Sequence, residues 1–169
     1  MTLGTFLKWT RSSKERIARH YAAEEWNQAV LSYLAISLDR LADRSATLCT
    51  WDQGYTKVNH VFHRYALPIT WDFCEGNVLS NTTGNYGDAV GWAAKYVEHA
   101  LDACSHTTAP NVIQQSATVF HRNSFADVIV TDPPYYDAIP YSDLMDFFYV
   151  WLRRSVGDLS PDLKHSLTH

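Results

Sequence analysis

Residues 126–136 decide the fold class of this chain, and they read Ala126-Asp127-Val128-Ile129-Val130-Thr131-Asp132-Pro133-Pro134-Tyr135-Tyr136. The β-branched run near the start is typical of a strand that is buried on both faces of a parallel sheet. Two consecutive prolines cannot continue a central strand, so we expect the chain to leave the sheet at Asp132. Open α/β sheets bind ligands beyond the carboxyl ends of their strands, which makes this turn the candidate site.

The segments on both sides of this stretch fit the same architecture. Asn111–Ser116 is interpreted as a short neighbouring strand, and a helix is expected from Asp88, as its N-cap, through about Ala103. After the turn, Ser142 is expected to cap a further helix that stops at Gly157 and carries acidic residues near its start and arginines in its last turn. The order helix, strand, strand, helix predicts an α/β fold.

The first part of the chain is predicted to form one long helix over about residues 12 to 45. Ser12 and Glu15 have the spacing of a capping box, in which the two side chains satisfy backbone donors of the first turn. Apolar residues then recur at helical spacing: Ile17, Tyr21, Trp26, Val30, Tyr33, Leu34, Leu38 and Leu41. Such a stripe is more typical of a helix core than of a base-stacking surface.

Residues 46–87 are predicted to be irregular and rich in loops. Two short runs inside them, Val58–Phe62 and Pro68–Phe73, have strand-like patterns, and a polar loop rich in Gly and Asn follows. The whole chain, residues 1–169, is therefore interpreted as one partial domain. It comprises the long helix, this irregular segment, and residues 88–169 with a helix, two parallel strands, the turn and a last helix.

Composition excludes several classes of protein. With 169 residues, 46% of them hydrophobic and 19% charged, the chain is neither a stapled mini-protein nor a disordered one. No apolar run reaches the ~18 residues that a membrane span needs. The three cysteines lack the spacings of zinc sites and disulfide frameworks. We therefore predict a chain of the reducing cytoplasm, with no membrane partner and no metal.

Charge is distributed unevenly along the chain. The net charge of −4 argues against a protein that holds nucleic acid through a wide basic surface. The first 20 residues differ, because there five basic residues stand against a single acidic one, Glu15: Lys8, Arg11, Lys14, Arg16 and Arg19. This segment is the predicted contact to nucleic-acid phosphates.

The turn at Asp132 offers hydrogen-bond acceptors to a planar amine. The carboxylate of Asp132 and the backbone carbonyl of Pro133 both accept, and Pro134 has no amide hydrogen that competes. Tyr135 adds an aromatic face beside these acceptors.

The run Thr131–Tyr135 after an apolar strand resembles the signature of the S-adenosylmethionine-dependent amino-methyltransferases that methylate adenine or cytosine in DNA. The wider stretch from Phe125 to Asp137, together with Tyr141–Asp143 and Asp146–Leu152, is similar to a large prokaryotic family of adenine-specific DNA methylases. Similarity to that family extends upstream to the first helix through three short matches: Leu67-Pro68, Trp71-Asp72-Phe73 and Gly84-Asn85. The resemblance thus covers most of the chain.

The resemblance implies a Rossmann-like methyltransferase fold, with S-adenosylmethionine as cofactor and DNA as substrate. In such enzymes the target base is flipped out of the duplex and stacked on an aromatic side chain, here Tyr135. Asp132 and Pro133 would hold the two amine hydrogens, Pro134 belongs to the same rigid turn, and the methyl group is transferred directly. Adenine N6 is the first expectation for the target and cytosine N4 the second.

The cofactor site is where the sequence departs from the family pattern. The resemblance assigns Ser116 and Ala117, at the end of the preceding strand, to the adenosine of the cofactor. Family members also carry a Gly-rich loop after their first strand, because the cofactor approaches the backbone closely there. No Gly-x-Gly occurs in this sequence, and Gly84–Gly87 has no buried strand before it.

We therefore expect an incomplete Rossmann-like fold with an added N-terminal helix. The chain is interpreted as a downstream part of a longer methylase. The missing upstream part, on the same polypeptide or as a separate chain, would be its partner and would supply the Gly-rich loop.

Three alternatives to this interpretation stay open. Asp-Pro-Pro-Tyr on its own also fits a plain turn, since Asp and Pro favour turns for local reasons. A related enzyme could methylate an RNA base or a protein glutamine, although those families more often show Asn in place of Asp132. A catalytically inactive remnant could serve as a binding or subunit-interaction module, which the missing Gly-rich loop favours.

Other side chains receive structural interpretations. His60 and His63 are taken as structural or surface residues, because no carboxylate or thiol stands at the spacing that a metal site needs. Phe147 and Phe148 are predicted to be helix core, and the arginines at the end of the last helix are predicted to complement the helix dipole.

Overall fold

The computed structural model describes residues 2–20, 23–63, 69–116, 118–119, 127–136, 138–158 and 164. Within these residues the chain forms four helices and one hairpin. The helices are α1 (Thr2–His20), α2 (Glu24–Ala42), α3 (Tyr86–Ala103) and α4 (Tyr141–Val156). The hairpin pairs β1 (Trp51–Asp52) with β2 (Lys57–Val58) in antiparallel register, with Trp51 opposite Val58.

Helix α2 is the centre of the packing. It contacts α1, α3 and α4, and α1 also contacts α4. Buried positions recur every three or four residues along the helix and widen to adjacent pairs near its end. They are Asn27, Leu31, Ala35, Ser37, Leu38, Leu41 and Ala42. Because these positions are apolar except for Asn27 and Ser37, the helices around α2 are held mainly by hydrophobic contact.

A second apolar cluster lies between the hairpin and α4. Cys49 and Val61 are buried in it. The ring of Phe62 makes edge-to-face contacts with Phe147 and Phe148 of α4, at centroid distances of 5.6 and 6.0 Å. This geometry sets the positive edge of one ring against the negative face of another. The two phenylalanines of α4, predicted to be helix core, are half-buried and pack against this cluster.

The helix predicted over residues 12 to 45 is two helices in the structure. α1 begins ten residues earlier than the prediction and ends at His20, and α2 begins after Ala23, whose extended backbone angles (φ −80°, ψ 122°) interrupt the helix. Ser12 lies inside α1, where its hydroxyl donates to the carbonyl of Trp9 at 3.0 Å instead of capping. Tyr21 of the predicted stripe lies outside the described residues. Because α1 packs against α2, each helix covers apolar surface of the other.

Two helix starts also differ from the prediction. Asn85 and not Asp88 caps α3: its Oδ1 accepts from the backbone N of Asp88 at 2.8 Å, and its Nδ2 donates to the Asp88 carboxylate at 2.7 Å. Helix α4 follows Pro140 directly and has no side-chain cap, so Ser142 lies inside it. Gly157 ends α4 as predicted. Asn85 caps α3 in place of Asp88 because Asn85 and Asp88, three residues apart, satisfy each other's hydrogen-bonding groups.

The strands predicted for the second half of the chain are not formed by its described residues. Asn111–Ser116 and residues 127–130 have no strand pairing, and Ala126 lies outside the described residues. In the first half, only Val58 of the run Val58–Phe62 belongs to a strand, and residues 69–73 are irregular. A buried parallel strand needs hydrogen-bonded neighbours, and the described residues supply none to these segments. One short antiparallel pair is too little sheet to test the Rossmann-like fold, which stays a prediction.

Candidate functional site

The turn Asp132–Tyr135 lies in irregular backbone between residues 127–130 and α4. All four of its residues are exposed, and Tyr135 is 62% exposed. The carbonyl of Tyr135 accepts from the backbone N of Ala138 at 3.4 Å, and the backbone N of Tyr141 donates to the carbonyl of Ile139 at 2.9 Å. These bonds turn the chain between the motif and α4. Both Asp132 and Pro133 are exposed, and neither the Asp132 carboxylate nor the Pro133 carbonyl hydrogen-bonds a described residue.

The apolar run before the turn is exposed. Val128, Ile129 and Val130 have 76%, 67% and 90% of their surface in water. Each β-branched side chain of this size would contribute about 1.5–3 kcal/mol if it were fully buried. Three such side chains in a row form an exposed patch of the kind that marks a contact surface.

Ser116 lies in a local turn. Its hydroxyl is 2.9 Å from the hydroxyl of Thr118 and accepts from the backbone N of Thr118 at 3.3 Å, while its carbonyl accepts from the backbone N of Val119 at 3.0 Å. Ala117 lies outside the described residues. Within the described residues no hydrogen bond joins Ser116 to the turn Asp132–Tyr135. An exposed serine engaged in its own turn does not by itself fit S-adenosylmethionine.

A cleft of about 430 Å³ opens where α1 meets the end of α4. Its lining consists of Arg11, Tyr149, Val150, Arg153, Arg154, Gly157, Asp158 and Lys164. Nothing in the local sequence pattern predicts this cleft, because Arg11 and Arg154 are 143 positions apart. The available signal was two separate basic clusters, one in the first 20 residues and one at the end of α4.

Arg11 joins the two helices at this cleft. Its Nη1 donates to the carbonyl of Arg154 at 2.5 Å, and its Nη2 donates to the carboxylate of Asp158 at 3.3 Å. The last carbonyls of a helix have no partner within the helix, so Arg11 supplies a donor to the end of α4. The guanidinium of Arg153 lies 6.0 Å from the centroid of the Tyr149 ring. The prediction that the arginines of α4 lie in its last turn is confirmed.

Asp43, Arg44 and His60 form a polar cluster that ties the end of α2 to the hairpin. His60 Nδ1 contacts the Asp43 carboxylate, and Arg44 Nη2 lies 2.9 Å from His60 Nε2. A guanidinium only donates, so Nε2 accepts and Nδ1 carries the hydrogen that is donated to Asp43. Arg44 also donates to the carbonyl of Val58. This arrangement gives His60 a structural role.

In the part of the chain that the structure describes, no group of three or more His, Cys, Asp or Glu side chains is arranged to hold a metal ion. No helix there is both long and apolar enough to cross a membrane.

Burial raises the pKa of Asp39 in α2 from its ordinary value of 3.8 to about 7. Its Oδ1 is buried and hydrogen-bonds no described group. The unfolded chain therefore releases this proton near pH 4, while the folded chain retains it to about pH 7. Because the folded state binds more protons between these values, the free energy of unfolding falls as pH rises from about 4 to about 7.

We expect Asp39→Asn to be more stable than the parent chain by roughly 1–2 kcal/mol at pH 8, because an amide has no charge to desolvate. At pH 4 the two chains should be equally stable. Urea unfolding followed by circular dichroism at pH 4, 6 and 8 measures the difference. Asp102→Asn, at an exposed position of α3, is the control and should leave the pH profile unchanged. Parallel profiles for Asp39→Asn and the parent would contradict the buried carboxyl.

No protein-family model, curated protein or solved structure matches this chain. The resemblance to adenine-specific DNA methylases therefore rests only on the residues of this chain that carry it. The most specific of these are Asp132–Tyr135 and the apolar run in front of them.

Proposed function

We propose that this chain is the target-amine part of an S-adenosylmethionine-dependent DNA amino-methyltransferase, with adenine N6 as the first candidate target and cytosine N4 as the second. The observation that carries the proposal is the exposed turn Asp132–Tyr135, directly after the run Val128–Val130 and before α4. Hydrogen-bond acceptors beside an aromatic face are what a flipped base requires of its pocket.

Asp132 and Pro133 act on the target amine in this proposal. The carboxylate and the carbonyl accept its two hydrogens, which draws the nitrogen lone pair out of conjugation with the base and directs it away from the ring. S-adenosylmethionine, when bound, supplies the methyl group on a sulfonium that becomes a neutral thioether. The methylated nitrogen must then lose one proton, and the Asp132 carboxylate is the acceptor next to it. The turn thus contributes orientation and electrostatics.

A second polypeptide segment completes the cofactor site in this proposal. The sequence lacks Gly-x-Gly, and the hydroxyl of Ser116 is engaged in a local turn with Thr118. The run Val128–Val130 is exposed, apolar and pairs with no described strand, so strands of that second segment can pair with it. Ser116 and Ala117 would contact the adenosine only once this sheet has formed.

The test is methyl transfer by the complete assembly. The chain is mixed with the polypeptide encoded directly upstream, duplex DNA and isotope-labelled S-adenosylmethionine, and the nucleosides of the digested DNA are analysed by mass spectrometry. We expect N6-methyladenine from the mixture and none from the chain alone. Calorimetry should detect weak or no cofactor binding by the isolated chain.

Three outcomes would count against parts of the proposal. A micromolar cofactor site on the isolated chain would contradict the division of the cofactor site. Methylation of an RNA base or a protein glutamine, with none of DNA, would contradict the substrate. DNA binding without any methyl transfer by the assembly would favour a binding module.

We expect Tyr135→Ala to lower kcat/KM for DNA by about 5- to 150-fold, because stacking a base on an aromatic side chain is worth about 1–3 kcal/mol. Tyr135→Phe should retain most of the activity, since it keeps the ring face and removes only the hydroxyl. Tyr136→Ala, at the adjacent exposed tyrosine, is the matched control and should change little. Steady-state kinetics with the complete assembly measure these effects. If Tyr135→Phe is as slow as Tyr135→Ala, stacking is not the role of Tyr135.

A further inference from the structure

Four basic side chains from three parts of the chain line the cleft between α1 and the end of α4. Arg11 belongs to α1, Arg153 and Arg154 to the last turn of α4, and Lys164 to the segment that follows. All four residues are exposed at the mouth of a volume of about 430 Å³. The cleft therefore gathers cations that are far apart in the sequence.

The charge of the cleft favours an anion even after the opposing charges are counted. Asp158, the acidic residue of the lining, offsets one unit through its ion pair with Arg11. The carbonyl end of α4 contributes about −0.5 of a charge. Against the three arginines of the lining alone, these leave a surplus of roughly 1.5 positive charges among the described residues. A concave surface with such a surplus concentrates anions from solution.

The geometry of the arginines suits phosphate. Arg11 is held by the Arg154 carbonyl and by Asp158, so its position is fixed but two of its donors are already used. Direct contacts to a ligand therefore fall mainly to the side chains of Arg153 and Arg154. A guanidinium presents a rigid fork of donors that binds phosphate oxygens in pairs.

The positive surface continues beyond the cleft along α1. Lys8 and Lys14 lie three residues before and after Arg11, which sets them near it on the surface of the helix, and both are exposed. Six residues of helix span about 9 Å. Neighbouring phosphates of one DNA strand advance by about 3.4 Å along the duplex axis. The row of charges is therefore long enough to lie beside more than one phosphate, and longer than one small anion needs. It suits a polymer with repeated phosphates.

From this surplus and its extension along α1, we infer that the α1–α4 cleft binds the phosphate backbone of duplex DNA. The inference rests on the proposed function in one respect, the choice of DNA among phosphate polymers. It gives Arg153 and Arg154 a binding role in addition to their position at the helix end.

The test compares two double variants that each remove two positive charges from the full chain. Arg153→Gln with Arg154→Gln alters the cleft. Lys57→Gln with Lys95→Gln is the matched control, because these lysines lie over the rings of Tyr55 and Trp92 and line no part of the cleft. Fluorescence anisotropy with a labelled duplex, at several salt concentrations from 25 to 200 mM, gives the dissociation constant and its salt dependence.

We expect the cleft variant to bind DNA about 10-fold more weakly at 50 mM salt and to lower the salt slope by roughly 1.8, which corresponds to two lost phosphate contacts. The control should change affinity less than about 2-fold. Both arginine side chains are exposed and the carbonyl that Arg11 uses is unaltered, so the fold should persist, as circular dichroism will show.

Equal losses in the two double variants would overturn the inference, because net charge alone would then explain binding. No loss in the cleft variant would overturn it as well, and so would tighter, cleft-dependent binding of duplex RNA. The fate of the methylase proposal is separate. Loss of DNA binding in the cleft variant, with no methyl transfer by the complete assembly, upholds the cleft and rejects the methylase. Methyl transfer with unchanged DNA affinity in the cleft variant does the reverse.

Discussion

Asp132→Ala is expected to lower the turnover of methyl transfer by the complete assembly by about 100- to 1000-fold, the usual effect of removing one preorganised electrostatic partner. The expected loss of turnover is large because the Asp132 carboxylate both accepts an amine hydrogen and stabilises the positive charge that develops on the attacking nitrogen. The variant should unfold at the same temperature as the parent, since the side chain is exposed and hydrogen-bonds no described residue. Single-turnover kinetics with labelled cofactor measure the chemical step directly.

Asp127→Ala is the matched control for this variant. It removes an exposed carboxylate five positions upstream in the same irregular segment, and it should leave turnover within about 2-fold. DNA affinity should be unchanged in both variants, because the turn acts on the amine and the α1–α4 cleft is proposed to hold the backbone. Near-normal turnover of Asp132→Ala would remove the basis for the acceptor mechanism.

The sequence predicted the C-terminal end of α4 correctly, because the contacts that decide it are local. Gly157 ends α4, and both arginines lie in its last turn, because these preferences depend on the helix itself. The spacing of Ser12 and Glu15 was misleading, since the same two residues are also compatible with a helix interior. The break before α2 had no signal: residues 21–23 are Tyr-Ala-Ala, which contain no helix breaker. That break depends on the packing of α1 against α2, which no local pattern encodes.

Some parts of the candidate site could be predicted from the sequence and others could not, depending on whether the residues involved are close together in the chain. Asp132–Tyr135 could be read from the sequence, because its chemistry lies in consecutive residues. The run Val128–Val130 has the composition of a strand, but composition describes what a segment suits and cannot supply its partners. The α1–α4 cleft was out of reach, because it exists only where Arg11 meets residues that are more than 140 positions away. The basic charge of the first 20 residues predicted a contact to phosphates. It could not predict that Arg11 lines a cleft with residues at the end of α4.

Leu38→Ala is expected to lower the free energy of unfolding by about 2–5 kcal/mol, the range for truncating a fully buried leucine. Leu38 is 0% exposed and lies on the helix that contacts all the other described helices. The loss combines the transfer of its apolar surface with the cavity that the neighbouring helices fill only in part. Urea unfolding followed by circular dichroism measures it.

Ile36→Ala is the control for Leu38→Ala, because Ile36 lies two positions away on α2 and is 51% exposed. It should cost less than about 1 kcal/mol. A small loss for Leu38→Ala would mean that α2 is not the centre of the packing. Since α1 and α4 both pack on α2, the spacing of Arg11 from Arg153 and Arg154 depends on this core. At urea concentrations above its unfolding midpoint, the Leu38→Ala variant should therefore also bind DNA more weakly. The Ile36→Ala variant should retain the cleft and the affinity of the cleft for DNA.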